Sequence, residues 1–316
     1  MKKIYSITIC AIIILSLVLI SSCTKLTYAD LTSAQDAVNV GFHMNAVIED
    51  AANVVSGSAA LSGSTSATDT VAGGTVSIDS VNGTVSIVYD GTTTVDGKFI
   101  RSGSMTIQLA NYPATHWIDQ LAQINIYLHH LKFTNVASGH SYTYEGPNTL
   151  INNTGGLAYQ MLAGLPAATN LGAIQYKLTS SADTITFYDA AVRVWNFNRI
   201  RTYTNTGGNA QVGVSSAFST NGYTNVDMWG TDRIGNPFYE SIIQSLTFNT
   251  LNCNDNYRDA RTGEAKVYEQ QFAIDMGFGA VSATSGSVAF NCPYGFKTTY
   301  VNSRSNYVEA ESPYWY

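Results

Sequence analysis

Charged residues are scarce in this chain. Asp, Glu, Lys and Arg together make up 12% of the sequence, about half of the roughly 25% that is usual in globular proteins. Basic residues are fewer than acidic ones, 16 against 22, and the net charge is −6. Without a basic block the chain gains nothing from phosphate contacts, so we expect no nucleic-acid partner. Electrostatic attraction to anionic lipid is excluded for the same reason. The 20 tyrosines argue against a disordered chain.

Cysteine is also rare, with four copies. Cys10 and Cys23 lie near the N-terminus, which leaves Cys253 and Cys292 in the body of the chain. These two form no C-x-x-C motif, so a metal or redox pair is the weaker alternative. We predict a structural disulfide between them, as expected in an oxidising compartment. The sequence indicates no cofactor and no metal site.

The first 23 residues have the pattern of a bacterial lipoprotein signal. Lys2 and Lys3 precede an apolar run of 17 residues, Ile4 to Ile20, and small residues lead to Cys23. We predict a signal peptide over 1–22 and a lipid anchor on Cys23 that attaches the chain to a membrane. Two alternatives stay open. One is an uncleaved membrane anchor, for which 17 residues is at the short limit, and the other is simple secretion.

Hydropathy patterning divides the rest of the chain. Residues 23–55 combine the modified cysteine with an amphipathic helix, and residues 56–74 are a Ser/Gly/Thr/Ala linker. Residues 75–316 are β-rich, with an Asn82-Gly83 hairpin signal and a long β-rich run over 184–203. We predict a mainly β fold with antiparallel, sandwich-like lobes, preceded by a signal peptide and one short N-terminal helix. This β-rich part forms either one large domain or two lobes with a boundary near 155–172.

The glycine-punctuated segments resemble uncharacterised envelope lipoproteins of Bacteroidota. The residues that carry this resemblance are Cys23, the helix after it, Tyr89-Asp90-Gly91 and the segment 274–279, which reads IDMGFG. The family often has an aromatic residue and a cysteine where this chain has Met276 and Ala280. The resemblance implies an envelope location and a β fold, and it implies no activity.

One segment, residues 226–237, concentrates acidic, basic and aromatic side chains. Asp227, Trp229, Asp232 and Arg233 lie within seven residues. We interpret them as candidate ligand-binding residues, with Trp229 as a platform on which a sugar ring stacks. A pair of carboxylates such as Asp227 and Asp232 is also what glycoside hydrolysis requires. The alternative is a loop in which the charged groups satisfy backbone atoms and the tryptophan packs on the domain.

Together these features predict a lipid-anchored protein of the outer membrane, on its periplasmic or its surface face. We expect a non-enzymatic structural or ligand-binding module whose partners are the membrane and a glycan or envelope protein. A hydrolase acting on glycans through Asp227 and Asp232 is the alternative function.

Overall fold

The computed structural model describes residues 29–64, 71–95, 98–248, 262–269, 272–280, 295–301 and 307–313. Within these residues the helices are α1 (Ala29–Gly57), α2 (Ala59–Ser62), α3 (Ala158–Leu162) and α4 (Pro166–Thr169). The strands are β1 (Gly74–Asp79), β2 (Thr84–Val95), β3 (Phe99–Leu109), β4 (Ala122–Asn135), β5 (Ser141–Asn152), β6 (Ile174–Thr186), β7 (Val192–Thr206), β8 (Asn209–Ser215), β9 (Val226–Thr231), β10 (Pro237–Phe248), β11 (Thr262–Glu269), β12 (Phe272–Ala280), β13 (Gly295–Val301) and β14 (Tyr307–Pro313).

The strands form one antiparallel sheet in which almost every strand pairs with its neighbours in the chain. The exception is β9, which pairs with both β7 and β10, while β8 pairs with those same two strands. The prediction of a mainly β, antiparallel fold with one N-terminal helix is therefore confirmed. β5 and β6 pair directly across the segment 153–173, so the sheet is continuous on both sides of that segment.

The first hairpin shows how local chemistry sets the register. Asp79 pairs with Thr84 across the turn, and Gly83 there has a φ of 69°. A side chain at this position would be strained, and its Cβ would also lie 2.7 Å from the Tyr112 ring. The Asn82-Gly83 signal thus predicted the turn correctly.

Helix α1 is buried on every side. From Ala34 to Asn45 nearly all consecutive residues are inaccessible, including the polar residues Asp36, His43 and Asn45. Consecutive residues of a helix point about 100° apart, so this pattern places protein around its full circumference. The helix accordingly differs from the amphipathic one that the sequence suggested. It contacts strands from β2 to β12, and the sheet curls around it.

The two ends of the curled sheet are built differently. At the end where α1 begins, which we call the proximal end, lie the loops 136–140, 187–191 and 232–236. At the distal end, α2 and the segments 110–121 and 153–173 cover the sheet, and Leu61 and Trp117 are fully buried. The Trp117 amide donates a hydrogen bond to the Leu61 carbonyl (2.8 Å), which joins α2 to the segment 110–121. Among the residues that the structure describes, no helix is long and apolar enough to cross a membrane.

Candidate functional site

The predicted site segment lies on β9 and the turn that follows it, and the fold separates its side chains. Met228 pairs with Glu240, but Val226 pairs with Ser241, so Asp227 occupies a bulge. A bulge allows two consecutive residues to face the same side of a sheet. Asp227 and Met228 both point toward α1, whereas Trp229 points outward. The strand thereby places the carboxylate and the indole on opposite faces.

Asp227 is fully buried and forms an ion pair with Arg199 of β7. Arg199 Nε donates to both carboxylate oxygens, at 3.0 and 3.1 Å, and the same guanidinium donates to the Gly41 carbonyl and to Asn45 Oδ1 (2.9 Å). Asp227 therefore holds an arginine that binds the helix backbone. Nearby, burial and the charge of Asp227 raise the pKa of the Glu240 carboxyl.

Two further inward-pointing arginines bind acidic residues of α1. Arg201 pairs with Glu49, and Arg101 pairs with Asp50, which also accepts a hydrogen bond from Tyr89 Oη (2.8 Å). With the pair Arg199–Asp227, these contacts connect α1 to β2, β3, β7 and β9. A buried pair of this kind is best attested as a device that sets registry. We conclude that the polar side chains inside the sheet fix the position of the helix relative to the strands.

Asp232 and Arg233 lie at the proximal end and also have protein partners. Asp232 Oδ1 accepts a hydrogen bond from the Asn236 amide (2.7 Å) and closes the turn between β9 and β10. Arg233 Nε donates to Asp36 Oδ2 of α1 (2.6 Å), and its guanidinium lies over the Tyr188 ring. Burial raises the pKa of Asp36 to about 6, although Arg233 opposes this shift.

A small cavity beside these residues is lined by side chains of α1 and of the neighbouring strands, including Asn39, His43 and Tyr142. Its volume is about 20 Å³, which is room for about one water molecule. His43 Nδ1 lies 2.6 Å from Tyr144 Oη, and burial lowers the pKa of His43 to about 3. The imidazole is therefore neutral at physiological pH, and the cavity is too small for an organic ligand.

Trp229 belongs to a cluster of aromatic rings on the outer face of the sheet. Tyr239 of β10 is paired in register with Trp229 on one side and with Tyr268 of β11 on the other. The segment between β8 and β9 folds over this row and adds Phe218 and Tyr223. We call these five residues the aromatic patch.

The rings of the aromatic patch form two layers. Phe218 stacks on Trp229, with 4.7 Å between ring centroids, and Tyr223 stacks on Tyr239 at 4.7 Å. Tyr223 also approaches Tyr268 at 4.6 Å. All five side chains are half-buried, in contrast to the fully buried Trp195 on the inner face of β7. The patch is thus a layered, mainly apolar cluster of rings outside the core.

Polar groups border the aromatic patch. Asn221 Nδ2 donates to Tyr239 Oη at 2.5 Å, and Asn221 itself is exposed. Asn196 of β7 adjoins Trp229 in the same row, and Lys266 lies 6.0 Å from the Tyr268 ring centroid. Rings with amide and ammonium groups at their edge can both stack on a ligand and form hydrogen bonds with it.

Of the four predicted binding residues, only Trp229 lies in this patch. Asp227, Asp232 and Arg233 each bind other parts of the chain, so their placement gives no support to the hydrolase hypothesis. Sequence reasoning missed the other rings because Tyr239 and Tyr268 meet Trp229 only through strand pairing. No local signal marked Tyr239, because its two inward-pointing neighbours are one apolar residue, Phe238, and one acidic residue, Glu240.

Three predicted sites lie outside the described residues: the lipidation site Cys23 and the cysteines Cys253 and Cys292. The expected anchor and disulfide remain predictions. Within the described ranges, no group of three or more His, Cys, Asp or Glu side chains is placed to hold a metal ion.

Comparisons with known proteins return no match: no family model, no curated protein and no solved structure resembles the chain. The candidate site therefore rests on the geometry of the aromatic patch.

Proposed function

We propose that this chain is a membrane-tethered, non-enzymatic module of the cell envelope that binds glycans through the aromatic patch. One observation carries the proposal. Three neighbouring strands place Trp229, Tyr239 and Tyr268 in one row on the outer face, and Phe218 and Tyr223 stack over that row as a second layer of rings.

A glycan fits the chemistry of this surface. The faces of sugar rings carry C–H groups that pack on aromatic rings, and their hydroxyls can bond with amides such as that of Asn221. The net charge of −6 gives the chain no advantage in binding a polyanion. A neutral polysaccharide therefore suits the patch better than an acidic polymer does.

The placement of the acidic residues favours binding over hydrolysis. Asp227 and Asp232 are buried, at 0% and 2% exposure. Asp227 accepts hydrogen bonds from Arg199, and Asp232 accepts one from the backbone amide of Asn236. General acid–base catalysis requires a carboxyl group within hydrogen-bond reach of the substrate. A glycan bound at the aromatic patch would lie on the outer face, out of hydrogen-bond reach of both buried carboxyl groups.

The tether is the second part of the proposal. It rests on the apolar run from Ile4 to Ile20 and on Cys23, which together resemble a lipoprotein signal. Stable anchoring takes more than one acyl chain, and lipoprotein acylation usually supplies several. A binding module held at a membrane in this way gains from multivalent contact with a polymeric glycan.

Affinity gel electrophoresis of the full chain in detergent tests the binding. The gels would contain a neutral β-glucan, an α-glucan or soluble peptidoglycan fragments. We expect retardation by at least one neutral glycan, and a loss of about tenfold in affinity for Tyr223→Ala, equivalent to about 1.4 kcal/mol. The matched control is Tyr127→Ala, because Tyr127 is a tyrosine of β4 with 44% exposure outside the patch.

Two outcomes contradict the proposal. In one, none of the glycans retards the chain. In the other, Tyr223→Ala and Tyr127→Ala bind as tightly as the unchanged chain, and the patch is then not the contact surface. Release of shorter glycans by the unchanged chain would instead favour the hydrolase alternative.

A further inference from the structure

Helix α1 begins at the proximal end of the sheet. Asp36, in its second turn, binds Arg233 of the loop 232–236 and accepts a hydrogen bond from Tyr142 Oη (2.9 Å) at the start of β5. The far end of the helix leads to Leu61, which is bonded to Trp117 at the distal end. The direction of the helix is therefore settled by contacts at both of its ends.

The chain between the predicted lipid site and this helix is short. Only six peptide steps separate Cys23 from Ala29. At about 3.3–3.6 Å per extended residue, they span about 20 Å at most. If residues 4–20 are instead an uncleaved anchor, nine steps connect Ile20 with Ala29, about 30 Å at most. Under either reading, the start of α1 stays close to the bilayer.

The loops at the proximal end expose apolar side chains. Val136 is 47% exposed, Tyr188 is 40% exposed and Ile234 is 67% exposed, one on each of the loops 136–140, 187–191 and 232–236. The charged neighbours Arg233 and Asp189 form an ion pair at 3.5 Å. This pairing lowers the free-energy cost of bringing the two charges close to lipid. Such loop tips suit the boundary between headgroups and acyl chains.

We infer that the proximal end of the sheet lies against the membrane and that Val136, Tyr188 and Ile234 contact the lipid interface. This inference rests on the tether proposed above. Apolar exposure does not by itself select this end, because Leu121 and Leu171 at the distal end are 67% and 48% exposed. The short tether selects the proximal end, because it keeps the start of α1 close to the bilayer. The aromatic patch lies on the flank of the sheet, where outward side chains point parallel to the bilayer, and Trp229 and Tyr239 are each three residues from the loop 232–236.

Cysteine labelling tests the orientation. The full chain is reconstituted into phosphatidylcholine vesicles, and a membrane-impermeant maleimide reacts with Ile234→Cys or Val136→Cys. The matched controls are Leu121→Cys for the first and Leu171→Cys for the second, since the members of each pair have nearly equal exposure. Each rate is divided by the rate in detergent, after subtraction of the reaction of the unsubstituted chain.

We expect this ratio to be at least about tenfold lower at residues 234 and 136 than at their controls, because lipid covers the proximal loops. If the vesicle-bound chain gives equal ratios at both ends, the orientation is wrong while the tether stands. If the chain fails to co-sediment with vesicles, the tether is wrong and the orientation falls with it. Neither outcome affects glycan binding, which the detergent gels measure separately.

Discussion

The inner and outer faces of the sheet around β7, β9 and β10 each depart from the usual distribution of side chains. The inner face buries Arg199, Arg201, Asp227 and Glu240 against a helix, whereas the outer face carries stacked aromatic rings. Arg199, Asp227 and Arg201 form ion pairs within the chain. The outer rings stay half-buried and border solvent. The charged side chains of the inner face position the helix, whereas the outer surface that suits a binding partner is aromatic.

The difference is explained by what each face contacts. The inner face must bind a helix whose backbone and polar side chains need hydrogen-bond partners, and a guanidinium with five donors meets that need. The outer face contacts water and the segment between β8 and β9, so its rings gain by stacking on one another. Substitutions on the two faces should therefore affect different properties of the protein.

Asp227→Ala should have the largest effect. It leaves the Arg199 guanidinium buried without its carboxylate, and breaking a buried pair in this way costs about 3–5 kcal/mol in the free energy of unfolding. Chemical denaturation of the full chain measures the loss. The control is Glu309→Ala, whose partner is the exposed Lys297, and it should cost at most about 1 kcal/mol. Equal losses would show that the buried Arg199–Asp227 pair contributes no more to the free energy of unfolding than a surface pair does.

The pH dependence of stability should be the next largest effect, because a buried carboxyl can relieve part of its burial cost by taking up a proton. Burial raises the pKa of Asp183 from 3.8 to about 7, against a hydrogen bond from Asn148. The folded chain thus keeps a proton that the unfolded chain has lost. Stability from this group is fully present below about pH 4 and falls as the pH rises to about 7.

Asp183→Asn removes that titration. Denaturation midpoints at about pH 4 and about pH 8 should lie closer together in the variant than in the unchanged chain. Some dependence should persist, because Asp36, with a pKa of about 6, titrates in the same direction. An unchanged difference between the two midpoints would mean that Asp183 does not titrate in this range.

Gly41→Ala should destabilise the chain, although alanine favours helices by about 1 kcal/mol. The added Cβ would lie 2.9 Å from an Arg199 nitrogen and 3.2 Å from Met228 Cε. Arg199 cannot move away without leaving Asp227, so we expect a net loss of about 1–3 kcal/mol. Gly277→Ala is the control, since nothing lies within 4 Å of its added Cβ. A stabilised Gly41→Ala variant would show that the contact with Arg199 relaxes freely.

Tyr223→Ala should destabilise the chain no more than Gly41→Ala does, and less than Asp227→Ala. It removes two ring contacts on the outer face, at about 0.5–1.5 kcal/mol per aromatic pair. Thermal unfolding followed by circular dichroism measures this change. A loss as large as that of Asp227→Ala would place Tyr223 in the structural core rather than on a contact surface.

Several features were predictable because they depend on local patterns. The helix expected within 23–55 exists as Ala29–Gly57, and the turn at Asn82-Gly83 joins β1 to β2. Other features escaped prediction because they depend on distant residues. The β-rich run 184–203 contains the turn 187–191, whose Ala190 has a φ of 66°, a conformation that alanine does not signal.

The candidate site illustrates the same limit. The segment 226–237 is a candidate site in the sequence because its charged and aromatic residues are adjacent in the chain. The bulge at Asp227 and the alternation of β9 then send Asp227 to the helix and Trp229 outward. A bulge is set by the pairing of two strands, so the composition of one strand cannot reveal it.

The sequence by itself determined the β class, the position of the helix, the first hairpin and the scarcity of charge, because hydrophobic periodicity and turn chemistry act over a few residues. Tertiary structure alone decided that this helix lies inside the sheet, which arginine binds which acid, and which aromatic rings meet on the outer face. Those outcomes arise from contacts between residues as far apart as Gly41 and Arg199. They depend on strand register and sheet curvature, which no short stretch of sequence encodes.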